Sequence, residues 1–335
     1  MIRLFSILCV ISFWFGLSAQ DIHFSQYYAS PFNLNPALTG LFDGSIRAWA
    51  NYRSQWGTVH VPYETYDAAL DFTLPVQSDN MGLGLYFLQD ASGSSGLRVS
   101  KVALMGAYQK GFGPKKHRSI LALGYYAKYV QKGIAYFNLT FPNQYNGNFD
   151  FDPNLNSGEN SLGNSLYYLD FGLGSLLRLN MENFPVSTIG FAFYHVNLPK
   201  ESFLDSENRL GLRYHIHGDS RLALVDKGFL TFRGAFMGQN NNHEALMGLE
   251  YEHFFNLSPR VRRSIFVGLM TRLSDAIIIV AGGEHKNVRL GLSYDVNISS
   301  LKPASNMYGA LELSMQYVGI FKKFTGIKCP PVPRF

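Results

Sequence analysis

Hydrophobic and polar residues alternate with a period of two in run after run along this chain. The last two runs show it most cleanly. Over residues 288–296, Val288, Leu290, Leu292, Tyr294 and Val296 occupy one phase, opposite Arg289, Gly291, Ser293 and Asp295. Over residues 309–321, Leu311, Leu313, Met315 and Tyr317 oppose Ala310, Glu312, Ser314 and Gln316. Successive side chains of a strand point to opposite faces, so this period predicts strands with one greasy and one polar face. Runs of about ten such residues match tilted strands that cross the hydrocarbon of a bilayer.

The pattern recurs over residues 45–56, 63–72, 81–88, 97–109, 120–129, 168–178, 188–196, 210–216, 229–237, 244–255, 264–273 and 276–284. With the final pair this gives about fourteen strands, the even number a bacterial barrel requires. The phase of 97–109 is ambiguous, although Lys101 is placed inward. Asp67, Asp71, Glu250, Glu252, Arg289, Asp295 and Glu312 all fall opposite the greasy phase. A Lys or Arg facing lipid at the midplane costs roughly 2–4 kcal/mol, which an enclosed interior avoids. A soluble sandwich would reverse the pattern, with apolar positions in and charges out. The predicted fold is therefore an all-β transmembrane antiparallel barrel. Bulky inward residues such as Tyr126 and Arg178 argue for a filled lumen.

Connection lengths point the same way. Short turns near residues 74–80, 111–117, 180–185 and 285–287 would lie at the periplasmic end. Longer segments at 131–165, 197–208 and 297–307 would face outside. The segment 217–227 reads as a longer inner connection, and the turn at Ser274 as a short outer one. Basic residues then gather at the inner rim: Lys115, Lys116, His117 and Arg118 in one turn, Arg260, Arg262 and Arg263 in another, and Lys322, Lys323, Lys328 and Arg334 in the tail.

Composition sharpens this picture. Charged residues make up only 16% of the chain and aromatic residues 15%, with 32 glycines; soluble proteins average about 25% charged. A net charge of +5 over 335 residues gives no support to nucleic-acid binding. Arg3, an apolar run from Leu4 to Leu17, and Ser18-Ala19 predict a secretory leader over residues 1–19. Residues 20–44 form an amino-terminal plug or periplasmic segment, 45–321 the barrel, and 322–335 a basic, proline-rich tail. Cys9 leaves with the leader, so Cys329 is alone and no internal disulfide is expected.

The amino-terminal stretch carries a resemblance. His23-Phe24-Ser25-Gln26-Tyr27-Tyr28, then Asn35-Pro36-Ala37-Leu38-Thr39-Gly40, then Arg47 and Asn51-Tyr52-Arg53-Ser54-Gln55-Trp56 resemble the PorP/SprF family of the type IX secretion and gliding machinery of Bacteroidetes. The resemblance implies a non-enzymatic outer-membrane component that meets periplasmic ring or motor proteins and secreted cargo. On that reading the partner-binding candidates are His23, Phe24, Gln26, Tyr27, Tyr28, Asn35, Pro36, Lys115, Lys116, Arg262, Arg263, Lys322 and Lys323. The alternative is a transport barrel, either a plugged porin or a lipid-uptake channel.

Catalytic and cofactor signals are weak. His215 and His217 share one strand face but lack a visible third metal ligand. Glu250 and Glu252 share an inner face without an acid/base partner, so lumen ion pairing is the expectation. Asp150 and Asp152 lie in an Asn-rich loop that lacks the EF-hand pattern. Gly111-Phe112-Gly113-Pro114-Lys115-Lys116 lacks the Walker spacing of a phosphate loop. No enzyme, metal or cofactor is predicted.

Overall fold

The computed structural model describes residues 22–320, except 59–60, 94–95, 115–116, 135–138, 148–149, 153, 159–164, 204–206, 226, 258–261 and 301. The predicted leader, tail and Cys329 lie outside the described residues. Among the described residues, fourteen strands close into one antiparallel barrel. They are β1 (Ile46–Gln55), β2 (Tyr63–Val76), β3 (Asp79–Ser92), β4 (Leu97–Phe112), β5 (Ser119–Gly133), β6 (Ser165–Leu179) and β7 (Val186–Tyr194), followed by β8 (Arg213–Ala223), β9 (Gly228–Gln239), β10 (Asn242–Asn256), β11 (Arg263–Arg272), β12 (Ala276–His285), β13 (Val288–Asn297) and β14 (Tyr308–Gly319). Each strand pairs with its sequence neighbours. The seam is β1 against β14, with Ile46 opposite Gly319 and Gln55 opposite Ala310.

The alternation in sequence becomes an inside and an outside. Leu290 and Leu313 are about half exposed, whereas Arg289 and Glu312 are buried in the interior. Lys101 faces in and Val102, Leu104 and Tyr108 face out, which settles the phase of β4. Outward aromatic residues gather toward both ends: Tyr63, Tyr66, Tyr129, Tyr167 and Tyr308 at one, Tyr108, Phe112, Phe255 and Tyr317 at the other. Two such girdles at the lipid–water interfaces are characteristic of outer-membrane barrels. Among the described residues no helix is long and apolar enough to cross a membrane.

Several strands run past the expected bounds, by up to four residues at an end in β2, β3 and β5, and two are displaced. β7 starts and ends two residues earlier than residues 188–196. β8 spans Arg213–Ala223, not 210–216. The supposed long inner connection after residue 216 is therefore mostly strand, and only a tight turn remains before β9. The outward phase of this stretch carries Gly218 and Ser220 instead of apolar side chains, which hides its periodicity. With that change one barrel end carries only short turns, and the longest connections gather at the opposite end.

Candidate functional site

The stretch before β1 lies inside the barrel. Pro31, Pro36 and Asn35 prevent any long element, so it folds as a 3-10 turn (Tyr27–Ala29), one α-helical turn (Pro31–Leu34) and a second 3-10 turn (Pro36–Leu38). Phe24, Tyr27, Tyr28, Ala29, Phe32, Leu34 and Ala37 are all buried. In the lumen such a segment carries many backbone donors and acceptors, each of which needs a partner. The inward phase of the strands supplies them.

Pairing of the strands places Gly82, Ala107, Gly124, Gly174 and Ala192 side by side across β3, β4, β5, β6 and β7. These inward-facing positions form a shallow trough of small side chains. Residues 35–40 lie in it. A Cβ at Gly82 would overlap the Thr39 carbonyl, one at Gly124 would overlap Pro36 and Ala37, and one at Gly174 would overlap Asn35 and the Pro36 ring. Beyond the trough, the Asn35 amide donates to the carbonyls of Ser175 (3.0 Å) and Phe191 (3.2 Å) and meets His217 Nε2 at 3.1 Å. The His215 ring meets the Leu34 carbonyl at 3.2 Å. The two histidines therefore serve the segment. Among the described residues no group of three or more metal-ligating side chains occurs.

Carboxylates anchor the rest. Asp71 Oδ2 accepts from the Gly40 N–H at 2.8 Å and from Arg47 Nη2 at 2.7 Å, while Arg47 Nη2 also reaches the Leu38 carbonyl at 3.0 Å. Asp67 accepts from the Ser30 hydroxyl (2.5 Å) and the Asn33 amide (3.2 Å). Tyr28 donates to Glu250 at 3.2 Å, with the Arg233 guanidinium 4.0 Å above its ring. Glu312 accepts from two successive backbone amides, Ser25 (2.6 Å) and Gln26 (2.8 Å), and pairs with Arg53. Arg272 reaches both the Ser25 hydroxyl (2.7 Å) and Asp295 (3.2 Å). His23 Nε2 stands 3.3 Å from Glu244. Burial first, then Arg272, Arg53 and Arg213, hold the His23 imidazole well below its usual pKa, so it is neutral.

Beside the segment, ion pairs fill the lumen. Arg289 bonds Glu252 and lies 3.3 Å from Glu250; Arg221 meets Glu252 at 3.2 Å, and Arg233 meets Glu250 at 3.0 Å. Opposite charges that far from water stay ionised only when paired. On the other side Asp170 accepts from Tyr126 (3.1 Å), meets His195 Nδ1 (2.9 Å) and faces Lys128 (3.4 Å). Sequence reasoning missed this group and the trough. The inward phase marked each residue as internal but did not say which strands bring them together.

The predicted partner-binding residues divide into two sets. Phe24, Gln26, Tyr27, Tyr28, Asn35 and Pro36 are buried in the lumen and His23 is partly covered there, so none of them offers a free docking face while the segment is seated. Arg262 is also buried, 3.5 Å from Glu284. Arg263 is exposed at the short-turn end, as are Lys110, Lys227 and Lys286. Lys115, Lys116, Lys322 and Lys323 lie outside the described residues.

An apolar outer wall between aromatic girdles, a closed strand seam and a charge-paired interior define an outer-membrane β-barrel. The family described as type IX secretion system membrane protein PorP/SprF matches residues 16–317, and the chain belongs to that family. Comparison with the curated proteins returned no match. Among solved structures the chain is similar to the CymD monoaromatic hydrocarbon channel, with 9% identity and a TM-score of 0.49 over 88% of this chain and 93% of that one. It is also similar to the P. putida toluene transporter TodX, with 8% identity and a TM-score of 0.49 over 87% and 93% of the two chains. The Acinetobacter baumannii outer membrane protein Omp33 is 6% identical, with a TM-score of 0.39 over 84% of this chain and 100% of that one.

Proposed function

We propose that this barrel is a non-conducting docking component of type IX secretion. It would hold periplasmic ring or motor proteins at its short-turn rim and support export or surface attachment of cargo at its long-loop end. The observation that carries this reading is the seated segment. Residues 22–44 use the lumen's carboxylates and carbonyls as their own hydrogen-bond partners, so little of the interior is left for solute. Family membership supplies the machinery. Exposed Lys110, Lys227, Arg263 and Lys286 give the short-turn rim a basic character that attracts acidic surfaces. Lys115, Lys116, Lys322 and Lys323 would extend that character, and gliding motility is one process the docked assembly would serve.

The test is affinity purification from native outer membranes with identification of the co-purifying proteins. Reversing the rim charges (Lys110→Glu, Lys227→Glu, Arg263→Glu, Lys286→Glu) should remove the periplasmic partners while heat-modifiable migration of the barrel stays normal. Unchanged recovery would refute docking at the rim. In planar bilayers the intact chain should pass no small ions. A steady open conductance would favour the transport alternative.

A further inference from the structure

On the outer wall, β11, β12 and β13 set a cluster of cations at the head of an apolar groove. Their outward residues stand in register. Arg263, His285 and Val288 form the row nearest the short-turn end; Ile265, Gly283 and Leu290 form the next; Val267, Ala281 and Leu292 form the third. Below its rim residue the middle strand thus offers only Gly283 and Ala281, between larger side chains that are about half exposed. The groove runs along β12 from an open cavity lined by Gly283, His285, Lys286, Asn287, Val288 and Leu290. Its apolar walls suit an acyl chain.

The head of the groove is fixed in place. The Lys286 N–H donates to the Arg262 carbonyl at 2.7 Å. The Asn287 amide donates to the Val318 carbonyl at 2.7 Å, and its own carbonyl accepts from the Val318 N–H at 2.9 Å. The turn is therefore clamped from both sides. Arg263, His285 and Lys286 are exposed, and among the described residues neither Arg263 nor His285 pairs with a carboxylate. Lys110, on the same rim, does: Asp79 stands 3.2 Å from it. The row also lies beside two girdle aromatics, Phe255 in the β10 bulge next to Arg263 and Tyr317 opposite Val288. Such girdles mark the depth of the lipid headgroups.

We propose that this groove holds an anionic glycerophospholipid, with its phosphate against Arg263, His285 and Lys286 and one acyl chain laid over Gly283 and Ala281. A guanidinium takes a phosphate through two parallel N–H donors, and the neighbouring imidazole and ammonium add further donors. A zwitterionic lipid fits less well, because its ammonium finds no carboxylate in the row. With the short turns in the periplasm, the lipid belongs to the inner leaflet of the outer membrane.

Full-length protein in nanodiscs of equal parts phosphatidylglycerol and phosphatidylethanolamine tests this, read by native mass spectrometry of the lipids that stay bound on release. The expected result is roughly tenfold enrichment of phosphatidylglycerol, the scale set by two cations acting at a membrane surface. Arg263→Gln with Lys286→Gln should reduce it to about twofold or less. Lys110→Gln, at a lysine that Asp79 already engages, should keep it. Phosphatidylglycerol carrying a diazirine in its acyl chain should cross-link mainly within residues 264–292. Equal retention of the two lipids, a double variant that keeps the enrichment, an equal loss in Lys110→Gln, or cross-links spread evenly round the barrel would each overturn the proposal. No periplasmic protein is present in the assay, so its failure leaves the docking reading untouched.

Discussion

Asp71 is the point where loss of one side chain should loosen the seated segment most. Its carboxylate is fully buried, takes both Nε (2.9 Å) and Nη2 (2.7 Å) of Arg47, and holds the Gly40 N–H. Asp71→Ala leaves the buried Arg47 guanidinium without its counter-charge, and removing one partner of a buried pair costs about 3–5 kcal/mol. It also orphans the Gly40 N–H, at about 1–3 kcal/mol. The two losses share one site and do not add. A working figure of about 4 kcal/mol lowers protection of the local amides by roughly a thousandfold. Hydrogen exchange read by mass spectrometry on peptides covering residues 34–44, in nanodiscs, measures this directly. Protection of β5 and β6 should change far less. The double variant Arg47→Met with Asp71→Leu removes both charges and should recover most of the loss, because an apolar pair of similar size replaces a buried ion pair at little cost. Unchanged exchange in Asp71→Ala, or a double variant no better than the single one, would refute the latch.

Other consequences are open to measurement. Gly82→Val drives a side chain into the Thr39 carbonyl and should expel residues 36–42 from the trough, seen as new protease cleavage there. Gly234→Ala faces outward, meets only the Leu246 carbonyl at 3.8 Å, and should be silent in the same assay. Leu292→Arg places a charge on the lipid face near mid-strand, opposite Leu313, and should destabilise the barrel by about 2–4 kcal/mol in reversible urea unfolding from liposomes; no change would contradict the outward assignment. The His23 imidazole has a folded pKa well below its unfolded value, so its contribution is complete above about pH 6.5 and shrinks as pH falls below that. Protection factors of residues 22–28, corrected for the slower intrinsic exchange at lower pH, should therefore fall from about pH 7.5 to about pH 5.5, and His23→Asn should flatten that response.

How much of this was legible beforehand differs by level. The strands and their phases were readable because lipid forbids charge on one face, which leaves a period of two in residues as far apart as Asp67 and Glu312. β8 was half missed because Gly218 and Ser220 put no apolar side chain in the outward phase. The segment was readable as something packed, from its apolar content and breakers. Its packing within the lumen was not legible, because a partner face and a packed core use the same Phe, Tyr and Asn residues. What separates them is the trough, and the trough exists only through register. Gly82, Ala107, Gly124, Gly174 and Ala192 are scattered over 111 positions of sequence, counting from 82 to 192, and become neighbours only once the strands pair. No local pattern announces that.

The seam between β1 and β14 has a consequence for assembly. The seated residues join β1 directly, and β1 is one of the two strands whose meeting turns an open sheet into a closed cylinder. After closure, feeding a chain past Asp71, Glu250 and Glu312 would mean breaking and remaking each bond in turn. Wrapping the sheet around a chain already laid along its concave side avoids that. The order of events would then be cord first and sleeve second, with the cord acting as the form on which the last pair of strands is zipped shut.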